Sequence, residues 1–224
     1  MNIKTIAALV ALPLLAACAP EIESTLYVQD ALTVATEHKA LSVPAVLRIP
    51  QSSEESCLKG LARLIENLKA LAPVTGKGKC IEKEGDQLAE IETQMVVTAA
   101  GVAFDAKNLF VLETGAPNGD GSLALEFRLT KTLDEIVKAL AANSDELQTD
   151  FDPARFIITI DNDSDGSIAL AGNHVFIDGK PHLPEMEPLT LERRKSVEIV
   201  FSDVASEYVS GAKPYRLATV TAAQ

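Results

Sequence analysis

The first eighteen residues constrain this chain more than any other stretch, because they decide the compartment in which it folds. Residues 6–15 are apolar throughout, and a single positive charge, Lys4, precedes them. A helix that crosses a bilayer needs roughly 20 apolar residues, whereas the core of an export signal needs only ~7 to 15. The sequence therefore predicts a cleaved export signal over residues 1–17 and a mature domain that folds outside the cytoplasm.

The end of this segment reads Leu15-Ala16-Ala17-Cys18, with a Leu three positions before a Cys and two small residues between them. This arrangement resembles the lipobox of bacterial lipoproteins. The resemblance implies that Cys18 carries a diacylglyceryl group, that cleavage occurs before it and that its new amino group is acylated. Several acyl chains on one residue exceed what stable membrane anchoring requires. The alternative is an ordinary secretory signal that happens to precede a Cys.

Ala19 bears on the destination, because an Asp at this place in lipoproteins marks retention in the inner membrane. Similarity to that sorting pattern implies the outer membrane, with the domain facing the periplasm. The rest of the chain is similar to uncharacterised lipoproteins of Gram-negative bacteria and their prophages. We expect Cys18 and a short tether to occupy residues 18–24 and a single domain to occupy residues 25–224.

The charge balance excludes one class of partner. The chain has 20 basic and 32 acidic residues, and removal of Lys4 with the signal changes the net charge from −12 to −13. A polyanion repels phosphate backbones instead of releasing counterions from them, so nucleic acid is not expected as a partner. Trp is absent and aromatic residues make up 4% of the chain, which weakens the case for glycan recognition.

The cysteines agree with an exported domain. With Cys18 used for lipid attachment, Cys57 and Cys80 remain, and an even pair in an exported chain predicts a disulfide. The alternative is a free thiol nucleophile, but neither Cys has a His nearby in sequence.

Helices are indicated at two places by polar caps followed by apolar residues three and four apart. Ser52 and Glu55 form a capping-box pattern ahead of a leucine-rich stripe, and Thr132 and Glu135 form a second one. Asp30 resembles the N-cap of another short helix. The first stripe comprises Leu58, Leu61, Leu64, Ile65, Leu68 and Leu71, which we expect to face the core.

Strands dominate the remainder. Residues 87–98 alternate apolar and polar side chains, the turn at residues 99–101 is expected to reverse the chain, and residues 102–113 and 122–130 continue a meander. The predicted fold class is α+β: a mainly antiparallel sheet with a few short helices packed on one face. The order strand, polar cap, helix occurs three times, at residues 26–35, 125–137 and 197–209. It either reflects an internal repeat or is a coincidence that any α+β chain can show.

Few patterns could carry catalysis. No Gly-x-Ser-x-Gly elbow and no phosphate-binding glycine loop occurs, so an enzyme is not expected.

His174 and His182 flank a turn at residues 178–179. A two-residue hairpin loop would pair Val175 with His182 and separate the two histidines, whereas a three-residue loop would allow a zinc pair. Residues 192–195, Glu192 followed by three basic residues, either protect the strand that follows from edge pairing or bind lipid headgroups.

Residues 161–167 resemble the start of a calcium-binding loop. Asp161, Asp163 and Asp165 occupy alternate positions, Gly166 allows a sharp turn, and Ser167 would offer its carbonyl. The pattern then fails, because Gly172 stands where a bidentate Glu is required. The sequence therefore leaves two interpretations: a weak calcium site, the only cofactor suggested, or a plain acidic turn.

Together these features predict a membrane-anchored envelope lipoprotein that acts as a non-catalytic binding or structural module, with the membrane and an envelope protein as partners. One alternative is a lipid or lipopeptide carrier with an apolar cavity. Another, implied by the resemblance, is a prophage superinfection-exclusion lipoprotein. The carrier would need a large pocket lined by positions such as Leu61, Leu68, Ile136 and Leu140.

Overall fold

A computed structural model of the chain describes residues 19–105, 107–116, 118, 121–142 and 154–222. Over these residues thirteen strands form one sheet and four helices pack against it, so the chain is mainly β and richer in strands than the predicted α+β class. Most neighbouring strands are antiparallel, as predicted. In chain order the elements are β1 (Glu21–Tyr27), α1 (Val28–Glu37), β2 (Ala40–Gln51), α2 (Glu54–Lys69), β3 (Lys79–Lys83), β4 (Asp86–Ala99), β5 (Phe110–Thr114), β6 (Leu123–Leu129), α3 (Leu133–Leu140), β7 (Arg155–Asp161), β8 (Ile168–Gly172), β9 (Val175–Ile177), β10 (Lys180–His182), β11 (Leu189–Leu191), β12 (Ser196–Phe201), α4 (Asp203–Ser210) and β13 (Tyr215–Ala222).

The sheet curls around a single core. Its strand order is β10-β9-β12-β7-β1-β2-β4-β5-β6-β13-β8-β11, with β3 paired to β4. β8 and β9 lie near opposite ends of this order, yet only residues 173–174 separate them in the chain, so the two edges of the sheet approach each other. Phe127 of β6 packs 5.3 Å from Phe156 of β7 and 5.5 Å from Phe201 of β12, measured between ring centroids. These rings join the two halves of the sheet across the core.

The predicted meander is wrong at one connection. β4 and β5 pair in parallel, with Met95 opposite Phe110, so the chain returns along the sheet through residues 100–109 before β5 begins. The alternating pattern of residues 87–98 identified a strand correctly, because Ile91 and Met95 are buried and Glu92 is exposed. Periodicity reports which face of a strand is buried but not the direction of its neighbour.

The strand directions give the sheet two distinct ends. Seven strands run in one direction and the other six run in the opposite direction. The seven are β1, β4, β5, β7, β9, β11 and β13. We call the end at which β1 begins the entry end and the opposite end the far end. Helices α2, α3 and α4 each begin at the entry end, after β2, β6 and β12, whereas α1 begins at the far end. The described helices include none that is long and apolar enough to cross a membrane.

The fold starts closer to Cys18 than the predicted tether allows. β1 begins at Glu21, and the Pro20 carbonyl already accepts a hydrogen bond of 2.8 Å from the Arg155 amide of β7. Glu21 and Glu23 fall within the predicted tether, but their carboxylates are paired with Arg48. Residues 21–24 therefore belong to the sheet.

The helix starts match the capping predictions in part. Thr132 and Glu135 form the predicted capping box of α3. The cap of α2 is Ser53, one residue later than predicted, and its hydroxyl accepts from the Ser56 amide. The leucine stripe of α2 is buried at Leu64 and Leu68, but Leu58 is 64% exposed, so the prediction of a continuous core face is wrong at its first position.

The three segments that share a strand–cap–helix order do each form a strand and a helix, as β1–α1, β6–α3 and β12–α4. Their helices do not occupy equivalent places, because α1 begins at the far end and the other two at the entry end. Common ancestry of the segments stays a prediction.

Candidate functional site

A row of alternating charges crosses five strands on the outer face at the entry end. Its members stand directly opposite one another on neighbouring strands, which is the arrangement in which cross-strand charge pairs interact. We call this row the charge ladder. In spatial order it comprises Arg155 of β7, Glu21 of β1, Arg48 of β2, Glu90 of β4 and Lys79 of β3.

Arg48 is the centre of the charge ladder. Its Nε donates to Glu90 Oε2 at 2.8 Å, and its Nη1 donates to both Glu21 and Glu23. Lys83 Nζ adds a 2.8 Å contact to Glu21 Oε1. The side chains of Arg48, Glu21 and Glu90 are only 12%, 10% and 13% exposed, so solvent screens these pairs weakly.

The pKa shifts in the ladder all favour the charged forms. Burial by itself raises the pKa of Glu21, but hydrogen bonds from Lys83 and Arg48 outweigh it and hold that pKa below its ordinary value. Burial likewise opposes the shift at Glu90, where Lys79 and Arg48 lower the pKa. Burial lowers the pKa of Arg48, yet its bonds to the three glutamates raise it above its ordinary range. The ladder carboxylates are thus held ionised and are not tuned toward neutrality for proton transfer.

A disulfide lies near the ladder. Cys57 of α2 and Cys80 of β3 are bonded, with their Cα atoms 6.0 Å apart, which is consistent with the predicted pairing. Cys80 stands opposite Ala89 on β4, one residue from the Lys79–Glu90 pair. The bond ties the first turns of α2 to the sheet.

The structure does not bring the predicted calcium ligands together. Asp163 Oδ1 accepts a hydrogen bond of 2.8 Å from the Gln29 amide, so this carboxylate caps the start of α1. The side chain of Asp165 is 99% exposed and lies 3.6 Å from Arg193. In the described part of the chain, no group of three or more His, Cys, Asp or Glu side chains is placed to hold a metal.

In this loop the side chains of Asn162 and Ser164 are buried, whereas those of Asp163 and Asp165 are exposed. Asn162 is fully buried, and its Nδ2 donates to the carbonyls of Gly166 and Leu191 at 2.9 Å each. Asn162 Oδ1 accepts from the amide and hydroxyl of Ser164. The loop is thereby organised by one amide side chain, while Asp161 and Ser167 stand at its two ends as the last residue of β7 and the residue before β8. This is the geometry of the acidic turn that the sequence left as its second interpretation.

The structure also shows where the two hairpin histidines and the basic cluster lie. Val175 pairs with His182 across a two-residue loop at residues 178–179, as the two-residue interpretation predicted, and His174 Nδ1 lies 3.0 Å from Asn173 Oδ1. Residues 192–195 lie at the far end, where the Arg194 amide donates to the Asn162 carbonyl at 2.7 Å. Both roles predicted for this cluster, protection of the following strand and headgroup binding, stay predictions.

A cavity between α3 and the sheet is lined only by apolar residues, including the predicted Ile136 and Leu140 together with Pro20, Ile22 and Ile49. Its volume is about 10 Å³, which is room for at most one water-sized group. Small-molecule pockets measure roughly 300–1,000 Å³. A wider groove of about 540 Å³ lies at the entry end, but Glu126, Asn173 and Arg216 make it polar and it is open to solvent.

The charge ladder could not be predicted from the sequence, although it contains the charged residues Glu21 and Arg48. Cross-strand partners that are 27 and 42 residues apart cannot be matched without the strand register. The one available signal was Arg48 as the only charged residue of β2.

Comparison with known proteins places the chain in a family. No curated protein and no solved structure matches it. A family model described as a domain of unknown function (DUF7424) matches residues 20–224, which is the whole of the fold from the residue before β1 onward. The chain therefore belongs to the DUF7424 family of domains of unknown function.

Proposed function

We propose that this chain is a lipid-anchored protein of the bacterial outer membrane whose periplasm-facing domain is a non-catalytic binding or structural module. One observation carries the proposal: the sheet begins at Glu21, three residues after the lipobox Cys18, and the charge ladder holds that first strand in place. A lipid on Cys18 would then be coupled directly to the sheet rather than through a flexible linker.

The disulfide supports an extracytoplasmic location, because such bonds persist in oxidising compartments. It also supports an anchoring role for the entry end. The ladder and the disulfide together secure β1, the strand that follows Cys18, and the entry-end elements β3 and α2. Redundant fixing of this kind is useful where a small covalent anchor restrains a whole domain.

The proposal assigns binding rather than catalysis because the buried carboxylates are saturated by cations. Glu21 and Glu90 each contact two or more basic groups. A lipid carrier finds no support in the cavity of about 10 Å³ beside Ile136, which cannot admit an acyl chain in this conformation. A prophage exclusion role would be one form of the same anchored module, and the gene neighbourhood tests it.

Metabolic labelling with a radioactive fatty acid tests the anchor. Label is expected in the wild-type protein and not in Cys18→Ser, and equal labelling of both proteins would refute the assignment. Cys57→Ser is the matched control, because it removes a different cysteine and should leave labelling unchanged. Crosslinking in intact envelopes, followed by capture of the lipidated protein, would then identify the bound partner.

A further inference from the structure

Exposed apolar side chains gather at the entry end of the sheet. Of the seven large apolar side chains exposed in the described residues, five lie on helices that begin there or in the loop between β10 and β11. Val204 is 78% exposed in the first turn of α4, which follows the end of β12. The five are Leu58 of α2, Leu183 and Met186 between β10 and β11, and Val204 and Tyr208 of α4.

The covalent distance from Cys18 brings this end close to a bilayer. An extended chain spans at most ~3.3–3.6 Å per residue, so the Cα of Cys18 lies within about 11 Å of the Cα of Glu21. The acyl chains of a lipidated Cys18 start at the membrane surface. Glu21 is held in the sheet by Arg48, so the domain cannot move away by unravelling β1 without breaking the ladder.

We propose that the entry end of the domain rests on the bilayer surface, with the five exposed apolar side chains in its interfacial region. This inference rests on the proposed lipid anchor and adds an orientation to it. Tyr208 suits the interface because an amphipathic ring prefers the headgroup level. Lys213 Nζ lies 5.1 Å from the centroid of that ring and adds a basic group of the kind found beside interfacial aromatic residues.

Charge decides which lipids this surface fits. Beside the apolar side chains, the carboxylates outnumber the two cations Lys59 and Lys213; they are Glu54 at the start of α2, Glu185 and Glu187 beside Met186, and Asp203 and Glu207 in α4. Anionic headgroups would be repelled by these carboxylates. The contact is therefore apolar and made with zwitterionic lipid, so added salt is expected to leave it unchanged.

The orientation places the far end away from the membrane. A strand of seven residues spans roughly 23 Å, so α1 and the loop of residues 162–167 would stand at about that height above the entry end. These elements and the basic residues 193–195 would face a partner in the periplasm.

Single-tryptophan reporters test the orientation, because the chain contains no Trp. Val204→Trp and Tyr208→Trp report on the entry end. Tyr27→Trp is the matched control, since Tyr27 is 43% exposed at the far end and the control corrects for the intrinsic preference of Trp for interfaces. The full-length protein extracted from bacterial envelopes is mixed with phosphatidylcholine–phosphatidylethanolamine vesicles whose acyl chains are brominated near the headgroups.

Bromolipid is expected to quench both entry-end reporters roughly twofold relative to unbrominated vesicles, at low and at high salt, and to leave Tyr27→Trp unchanged. Vesicle flotation separates the two proposals. A protein that floats with the vesicles while neither entry-end reporter is quenched overturns the orientation and leaves the anchor standing. A protein that does not float overturns the anchor and the orientation together.

Discussion

Arg48→Met is expected to be the most damaging single change on the surface of the sheet. The variant keeps the apolar stem but leaves Glu21, Glu23 and Glu90 without their shared cation. Removal of one partner from a buried ion pair costs ~3–5 kcal/mol. Because Lys83 and Lys79 still neutralise two of the carboxylates, we expect the lower end, a loss of about 3 kcal/mol in the free energy of unfolding.

Urea denaturation of the purified protein at neutral pH measures this loss. The matched control is Arg216→Met, since Arg216 also pairs with a glutamate on the neighbouring strand, Glu126, but the two side chains are 57% and 35% exposed. The control should lose less than about 1 kcal/mol. Equal losses in the two variants would refute the conclusion that the ladder is a buried electrostatic tie.

Three further predictions concern stability. Replacing both Cys57 and Cys80 by Ser should lower the free energy of unfolding by about 3 kcal/mol, because the bond closes a loop of 23 residues in the unfolded chain; urea denaturation measures it. Folding lowers the pKa values of Glu21 and Glu90, so the two ionised carboxylates stabilise the fold above pH 4.5, their ordinary pKa. This contribution is lost as the pH falls through their pKa values in the folded protein, and urea denaturation from about pH 7 to about pH 3 should show the loss. Asp163→Ala should cost about 1 kcal/mol by uncapping α1, measured by thermal unfolding.

Each of these three predictions has a control experiment. The wild type treated with reductant should match the double Cys variant, and an unchanged stability in either would contradict the bridge. The loss of stability below pH 4.5 should be smaller in Arg48→Met, and an identical acid profile would exclude the ladder as its source. Asp165→Ala, whose side chain is exposed, should be neutral beside Asp163→Ala. Calorimetry at millimolar calcium is expected to give no heat, and heat lost in Asp163→Ala would restore the calcium interpretation.

Local features of the fold could be predicted from the sequence because they depend on neighbours along the chain. The α3 capping box at Thr132 needs residues only three apart, and the buried face of β4 follows from alternation. The hairpin that pairs Val175 with His182 follows from an Asp-Gly turn. The disulfide needed only a count of cysteines and a compartment.

The features that failed depend on partners far away in the chain. The sequence left Asp163 either as a calcium ligand or as part of an acidic turn, because its hydrogen-bond partner, the Gln29 amide, lies 134 residues earlier. The parallel pairing of β4 with β5 requires a crossover that no local pattern encodes. Leu58 fits the apolar stripe of α2 and is nevertheless exposed, since the stripe begins before the helix reaches the core. The proposed membrane contact supplies a reason for that exposure.

The central claim is that Cys18 is a lipidated amino terminus placed directly against the fold. Mass spectrometry of the protein extracted from bacterial envelopes tests it most directly, because the mass of the amino-terminal peptide reports the cleavage site and every attached group together. The account predicts a peptide that begins at Cys18 and carries a diacylglyceryl group and an amide-linked acyl chain. A mature protein that begins at another residue, or an unmodified Cys18, would contradict it.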